Sequence, residues 1–306
     1  MSAEAVTIRP PSTTSNPKPK PKPKPKPRPP NAPRLIFPLV GPAQYHDDFG
    51  EPRPIGHEEG NDIMTPRHTP VVAPEAARVK LWTASGAGCM MYLYGKSGNE
   101  YVYLHLNNDL TKHNDNRGKC KPGVSYAPGL KDGQKVAPGQ LVGFSGDSGN
   151  ADGIPHLEYQ LRPHGGAPIS PYKILNRSLR LLFAVPHGKK FTLTASVSLV
   201  SAERLVTDLT GARLRVKVKT LRAYPGGYVF KNVGRTMTID VDGDAVVQEQ
   251  RTGPAPAAVS VAAERLLSAK KGQPLVVRTA PAKPTLKAEL GSLPLGAASV
   301  VLKAPK

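Results

Sequence analysis

Three short stretches of this chain hold the residue types that metal and acid–base chemistry needs. Gly56-His57-Glu58-Glu59-Gly60-Asn61-Asp62-Ile63 comes first, then Tyr101-Val102-Tyr103-Leu104-His105-Leu106, and last Pro155-His156-Leu157-Glu158-Tyr159. Imidazole nitrogens and carboxylate oxygens are the usual ligands of divalent metals, and set side by side they can hold a metal and a general base together. If the last two stretches are strands, their side chains alternate between faces. Tyr101, Tyr103 and His105 then share one face and Val102, Leu104 and Leu106 the other. His156, Glu158 and Gln160 likewise oppose Leu157, Tyr159 and Leu161. Residues two apart on one face stand ~6–7 Å from each other, close enough for an imidazole and a carboxylate to act together. Taken singly, each stretch reads as well as a solvated polar strand face.

The elements that would position these residues are strands. From Leu35 to Ile174, short apolar runs (Val79 to Trp82, Met90 to Tyr94, Tyr101 to Leu106, Leu141 to Phe144, Leu157 to Leu161) alternate with Gly, Asn, Asp and Pro clusters. That pattern predicts an antiparallel β-domain over 35–178, closed by a short helix or turn after Pro171. Phe191 to Val200, Leu214 to Leu221 and Met237 to Val241 alternate at period two and predict a smaller β-rich domain over 179–250. Residues 251–306 are rich in Ala, Pro and Lys and are expected to be partly ordered at best, with strands at Leu275 to Arg278 and Val300 to Leu302. The fold class is all-β. Cys89 and Cys120 can close a disulfide if the chain is exported, or remain two buried thiols if it is cytosolic; two cysteines alone exclude a zinc ribbon.

Residues 1–34 form a Lys/Pro-rich tail in which 17–30 alternate the two residues almost without break. Proline fixes the backbone and lysines repel, so an extended, disordered, solvated spacer is expected. The net charge of +19 is unevenly spread: residues 35–178 carry 14 basic and 14 acidic groups, so the excess lies in the tail and in the C-terminal half. A neutral central domain argues against specific nucleic-acid recognition, where the binding face itself must neutralise phosphates. A basic tail suits an anionic wall polymer or a membrane surface. No apolar stretch reaches the roughly 18 residues of a membrane span, and no signal peptide is visible in residues 1–30.

The order of the three stretches resembles that of the lysostaphin/LytM-like zinc metallopeptidases, which cut peptide bridges of peptidoglycan. The resemblance covers roughly 35–175 and includes Asp48-Phe49-Gly50-Glu51-Pro52-Arg53, the Gly60-Asn61-Asp62-Ile63 turn, Thr69-Pro70-Val71, the Gly133 to Gly146 hairpin and Pro171-Tyr172. It implies an Asp ligand at Asp62, an active-site strand histidine at His105 and a catalytic histidine at His156. The chain departs from the family at the other two ligands. The third ligand position holds Glu158 instead of His, and four residues rather than three separate His57 from Asp62, so the first ligand slot counts to Glu58. A bulge would be needed to bring His57 to a metal beside Asp62 and Glu158; otherwise Glu58 takes its place. Each exchange of imidazole for carboxylate weakens the Lewis acid, and an all-oxygen set suits calcium, magnesium or manganese better than zinc. The resemblance therefore implies an extracytoplasmic, wall-associated protein. Its expected partner is a peptidoglycan peptide or a wall amidase, bound through a groove degenerate in zinc catalysis. The rivals are an active metallo-endopeptidase with one zinc per chain and a structural envelope protein that binds polyanions through its Lys/Pro tail.

Overall fold

The computed structural model describes residues 34–304, apart from Ile55, Gly227, Asn232 and 251–256. The expected extended tail at 17–30 lies outside the described residues. Strands β1 (Gly60–Met64), β2 (Pro70–Val72), β3 (Ala77–Ala84), β4 (Gly88–Gly95), β5 (Asn99–Leu106), β6 (Lys135–Val136), β7 (Leu141–Phe144) and β8 (His156–Pro163) precede the short helix α1 (Tyr172–Arg177). Beyond it come β9 (Thr192–Arg204), β10 (Ala212–Tyr224), β11 (Val229–Lys231), β12 (Thr236–Val241), β13 (Val246–Gln250), β14 (Ala258–Val261), β15 (Pro274–Thr279), α2 (Leu286–Glu289) and β16 (Leu295–Leu302). The architecture is all-β, and the apolar runs singled out in the sequence fall in these strands, Phe191 lying one residue before β9.

The first strands build a six-stranded sheet in the order β1-β8-β5-β4-β3-β6, with β2 and β7 paired separately. One face is packed: Tyr101, Tyr103, Leu157, Tyr159 and Leu161 are all at most 1% exposed and belong to the main core. Two of these tyrosines satisfy their hydroxyls as they are buried, Tyr103 donating to the Val72 carbonyl and Tyr101 to Glu75. The opposite face carries only a small apolar cluster of Met90, Val102 and Leu104. That open face holds the candidate site.

The later strands form an eight-stranded sheet running β11-β10-β9-β15-β16-β13-β14, with β12 pairing β10 and β16. Its period-two pattern is plain in β9, where Leu193, Ala195, Val197 and Leu199 are buried while Thr194, Ser196 and Ser198 turn outward. The expected boundary at 250/251 runs through this sheet, because β13 pairs with both β14 and β16, and β15 lies between β9 and β16. Segments 258–261, 274–279 and 295–302 are thus ordered by long-range pairing, which local Ala/Pro/Lys composition does not report.

Cys89 and Cys120 form a disulfide, with Cα atoms 5.2 Å apart. It ties the loop after β5 to β4. The Asn/Asp-rich part of that loop is turn chemistry: one Asp109 oxygen accepts from the backbone N–H of Asp115 and Asn116, and Asp115 accepts from those of Leu110, Thr111 and Arg117. Arg67 clamps this loop to the one before β8 by pairing with the buried Asp109 and Asp147.

Candidate functional site

The β1–β8 register sets Asp62 opposite Glu158 and Met64 opposite His156, and β5–β8 sets Leu104 opposite Glu158. His156, Glu158 and Gln160 share the open face as alternation requires. His105 does not follow it. Tyr101 and Tyr103 lie in the core, yet His105 comes out on the opposite face beside Glu158, which corrects the expectation that the three share a side. Two irregularities turn it over: the β4–β5 register slips between Cys89 and Met91, and His105 has φ 56°, in the left-handed region. Hydrogen bonds hold this backbone in place, from His105 N–H to the Ala87 carbonyl and from Gly146 N–H to the His105 carbonyl. A non-glycine residue there costs about 1–2 kcal/mol, which these contacts offset.

His57 is the second correction. It is exposed, while Glu58 is 6% exposed and faces the site. Residues 50–58 double back on themselves, with Gly50 N–H donating to the Glu58 carbonyl, Glu58 N–H to the Glu51 carbonyl, and Pro52 bridged to His57. In such extended backbone, neighbours point to opposite sides, so directing Glu58 inward sends His57 to solvent. Glu58, Asp62 and Glu158 offer oxygens that all lie within 4.8 Å of one another.

Arg53 occupies the mouth of this trio, a role that only its place in the lead-in motif hinted at. Its Nε donates to Glu58 Oε2 at 2.9 Å and its Nη2 to Asp62 Oδ2 at 2.9 Å, with buried Asp48 3.8 Å away. Asp48 in turn accepts from the Asp62 backbone N–H and from the Asn61 side chain. The imidazoles are also engaged. His105 Nε2 is 3.2 Å from Glu158 Oε2 and its Nδ1 is 2.8 Å from the Ser148 carbonyl. His156 Nδ1 is 2.7 Å from the Ile154 carbonyl, and its Nε2 is 3.5 Å from Asp62 Oδ1. The two rings stand 4.8 Å apart. Gln160 completes the set by donating to Glu158 Oε1 at 2.7 Å.

The charge states follow from these contacts. Burial, reinforced by Glu158 and Asp62, pushes the Glu58 carboxyl up to about 7 despite its bond to Arg53. Burial also raises Asp62, with His156 and Arg53 opposing. Burial works against both members of the His105–Glu158 pair, yet their hydrogen bond prevails, lifting His105 and lowering Glu158. Both shifts favour the charged form of each partner. A zinc ion does not fit this arrangement: the three convergent donors are all carboxylate oxygens, neither imidazole joins them, and Arg53 already binds two of the three. Oxygen-only donors suit a hard cation, but Arg53 supplies positive charge at the same place.

No protein-family model matches the sequence, and no curated protein matches it. Solved structures do. The catalytic domain of lysostaphin from Staphylococcus simulans is 22% identical, with 44% of this chain and 92% of that one covered and a TM-score of 0.35. The glycyl-glycine endopeptidase lytM from Ruminococcus gnavus is 21% identical over 49% of this chain and 64% of its own, with a TM-score of 0.38. A chain of the SpoIIIAH–SpoIIQ complex is 17% identical over 46% of this chain and 99% of its own, at 0.35. Lysostaphin/LytM-type domains are thus what this chain is similar to in fold, over less than half of its length. The roles of its residues stand on its own side chains.

Proposed function

We propose that this protein works at the bacterial cell wall by holding a peptidoglycan peptide, or a wall hydrolase, in a LytM-type groove rather than by cutting it. The observation that carries this reading is Arg53, whose guanidinium pairs with Glu58 and Asp62 where a peptidase of this kind needs a metal. A fixed guanidinium neutralises carboxylates but leaves no open coordination position to polarise a carbonyl or acidify water.

The groove retains features for binding. From the acidic end the open face runs across Leu104 and Val102 to Tyr92 on β4 and to Trp82 on β3, which is 52% exposed. The carboxyl groups of Asp48, Glu58, Asp62 and Glu158 gather here around one guanidinium, so the acidic end favours a peptide that presents an ammonium group, with apolar stems laid on the floor. The absence of any helix long and apolar enough to cross a membrane among the described residues is compatible with a wall location.

Purified protein, loaded in turn with zinc and manganese, is tested for release of peptides from sacculi and for binding of soluble muropeptides. Binding without release supports the reading. Release that Asp62→Ala and His156→Ala both abolish overturns it in favour of a metallo-endopeptidase.

A further inference from the structure

The solvent face of β10 carries a row of cations with no acid over them. Leu214, Val216, Val218 and Leu221 turn into the core, while Arg215, Lys217, Lys219 and Arg222 are exposed. A register shift between Val218 and Thr220 keeps Lys219 and Thr220 both outward before alternation resumes, so the row is unbroken. At about 3.3 Å per residue, Arg215 to Arg222 extends over about 23 Å. Across the strands, Arg222 pairs with Thr194 of β9, which pairs with Arg278 of β15, adding a fifth exposed cation to the same face. Among the described residues none of these five makes an ion pair, whereas Arg213 at the start of β10 is held by Asp240.

Hydroxyls fill the spaces between them. Ser201 and Ser198 lie opposite Arg215 and Lys217 on β9, and Thr238 and Thr236 lie opposite the same two residues on β12. Like charges repeated along one strand face repel, and packing draws nothing from them. What fits them is a chain of anions running along β10, with hydroxyl groups on both partners to exchange hydrogen bonds.

We propose that this face binds a linear polymer of phosphodiester-linked polyol units. Cations spaced along a strand match a string of phosphates, and the Ser/Thr rows match the polyol hydroxyls. A single-stranded nucleic acid would instead use aromatic platforms for its bases, and Tyr224 is the one aromatic side chain on this face among the described residues. The surface is separate from the groove, so it can fail while the groove reading stands, and the reverse.

The test measures binding of the full chain to purified poly(glycerol phosphate) over a range of salt. The variant Lys217→Gln/Lys219→Gln/Arg222→Gln is expected to bind at least tenfold more weakly at about 50 mM salt, with a log–log salt slope shallower by about 2. Arg222→Gln/Arg278→Gln, on two different strands, should lose several-fold. Lys217→Arg/Lys219→Arg, which keeps the charge, should bind like the parent, and this separates charge from folding damage. A variant with Lys18, Lys20, Lys22, Lys24 and Lys26 changed to Gln should keep its affinity within about threefold at the same salt. The proposal is overturned if the face variants bind like the parent while the tail variant loses binding. It is equally overturned if a single-stranded oligonucleotide of equal phosphate number binds more tightly than the polymer.

Discussion

Nη2 of Arg53 donates to Oδ2 of Asp62 at 2.9 Å, which places a cation belonging to the chain against a carboxylate that the resemblance marks as a metal ligand. The same guanidinium reaches Glu58, so two of the three convergent carboxylates are neutralised without any ion. The contact places positive charge inside a partly buried acidic cluster. It also makes the consequences of substitution calculable in sign.

Arg53→Gln leaves Glu58, Asp62 and Glu158 facing one another without the guanidinium that now pairs with two of them. The expected loss is about 1–3 kcal/mol, reduced from the value for a fully buried pair because Arg53 is partly exposed. Millimolar manganese or calcium should restore part of it by binding the vacated oxygens. Thermal melts with chelator and with each metal check this. An unchanged melting temperature would mean that Arg53 contributes nothing to the site.

Glu58→His with Glu158→His returns nitrogen donors to both altered positions on a scaffold that already aims them at Asp62. The double variant is expected to bind one zinc per chain, and the parent none, in metal analysis after dialysis. Failure of the double variant would place the loss in the groove's shape and not in its ligands.

Glu289 lies in the second sheet's flank, 1% exposed, and burial pushes its carboxyl up to about 8 although the Val185 backbone N–H donates to it. Its folded pKa is above the unfolded value, so the folded state binds the proton more tightly. This contribution is greatest below about pH 4.5 and is lost as pH rises toward 8. Glu289→Gln should therefore stabilise the protein by about 1–3 kcal/mol at pH 8 and flatten the fall between pH 5 and 8. Urea melts at several pH values measure it, and equal slopes in parent and variant would refute the assignment.

The Cys89–Cys120 bridge spans 31 positions and restrains the loop that Arg67 clamps beside the groove. In the chain-entropy description a loop of this length contributes about 3–4 kcal/mol. Cys89→Ser/Cys120→Ser should lower stability by that order. It should also speed proteolysis within residues 107–120, where limited digestion and mass spectrometry would locate the cuts.

Strand identity was legible because it depends on local alternation. Runs such as Leu157 to Leu161 and Phe191 to Val200 show period two, and each became a strand with the expected face buried. The shared surface of His156 and Glu158 was legible for the same reason, whereas Asp62 was set beside them only by the resemblance. The strands of 251–306 were harder to read, since β15 gains its order from β9, more than 70 residues away, and β16 from β12, β13 and β15.

The sequence by itself determined which residue types stand at the positions that the resemblance marks as ligands, glutamates at 58 and 158, and no folding can change that. Only the tertiary structure decided where those groups point. His105 reached the open face through a register slip and a left-handed backbone, against the alternation that its neighbours obey. His57 was turned outward by a hairpin closed through Glu51, Pro52 and Gly56, and Arg53 was carried by the same hairpin onto Glu58 and Asp62. Local pattern predicts a side chain's face only while the backbone stays regular. At a bulge, a tight turn or a long-range ion pair, the outcome is set by contacts between residues far apart in the chain.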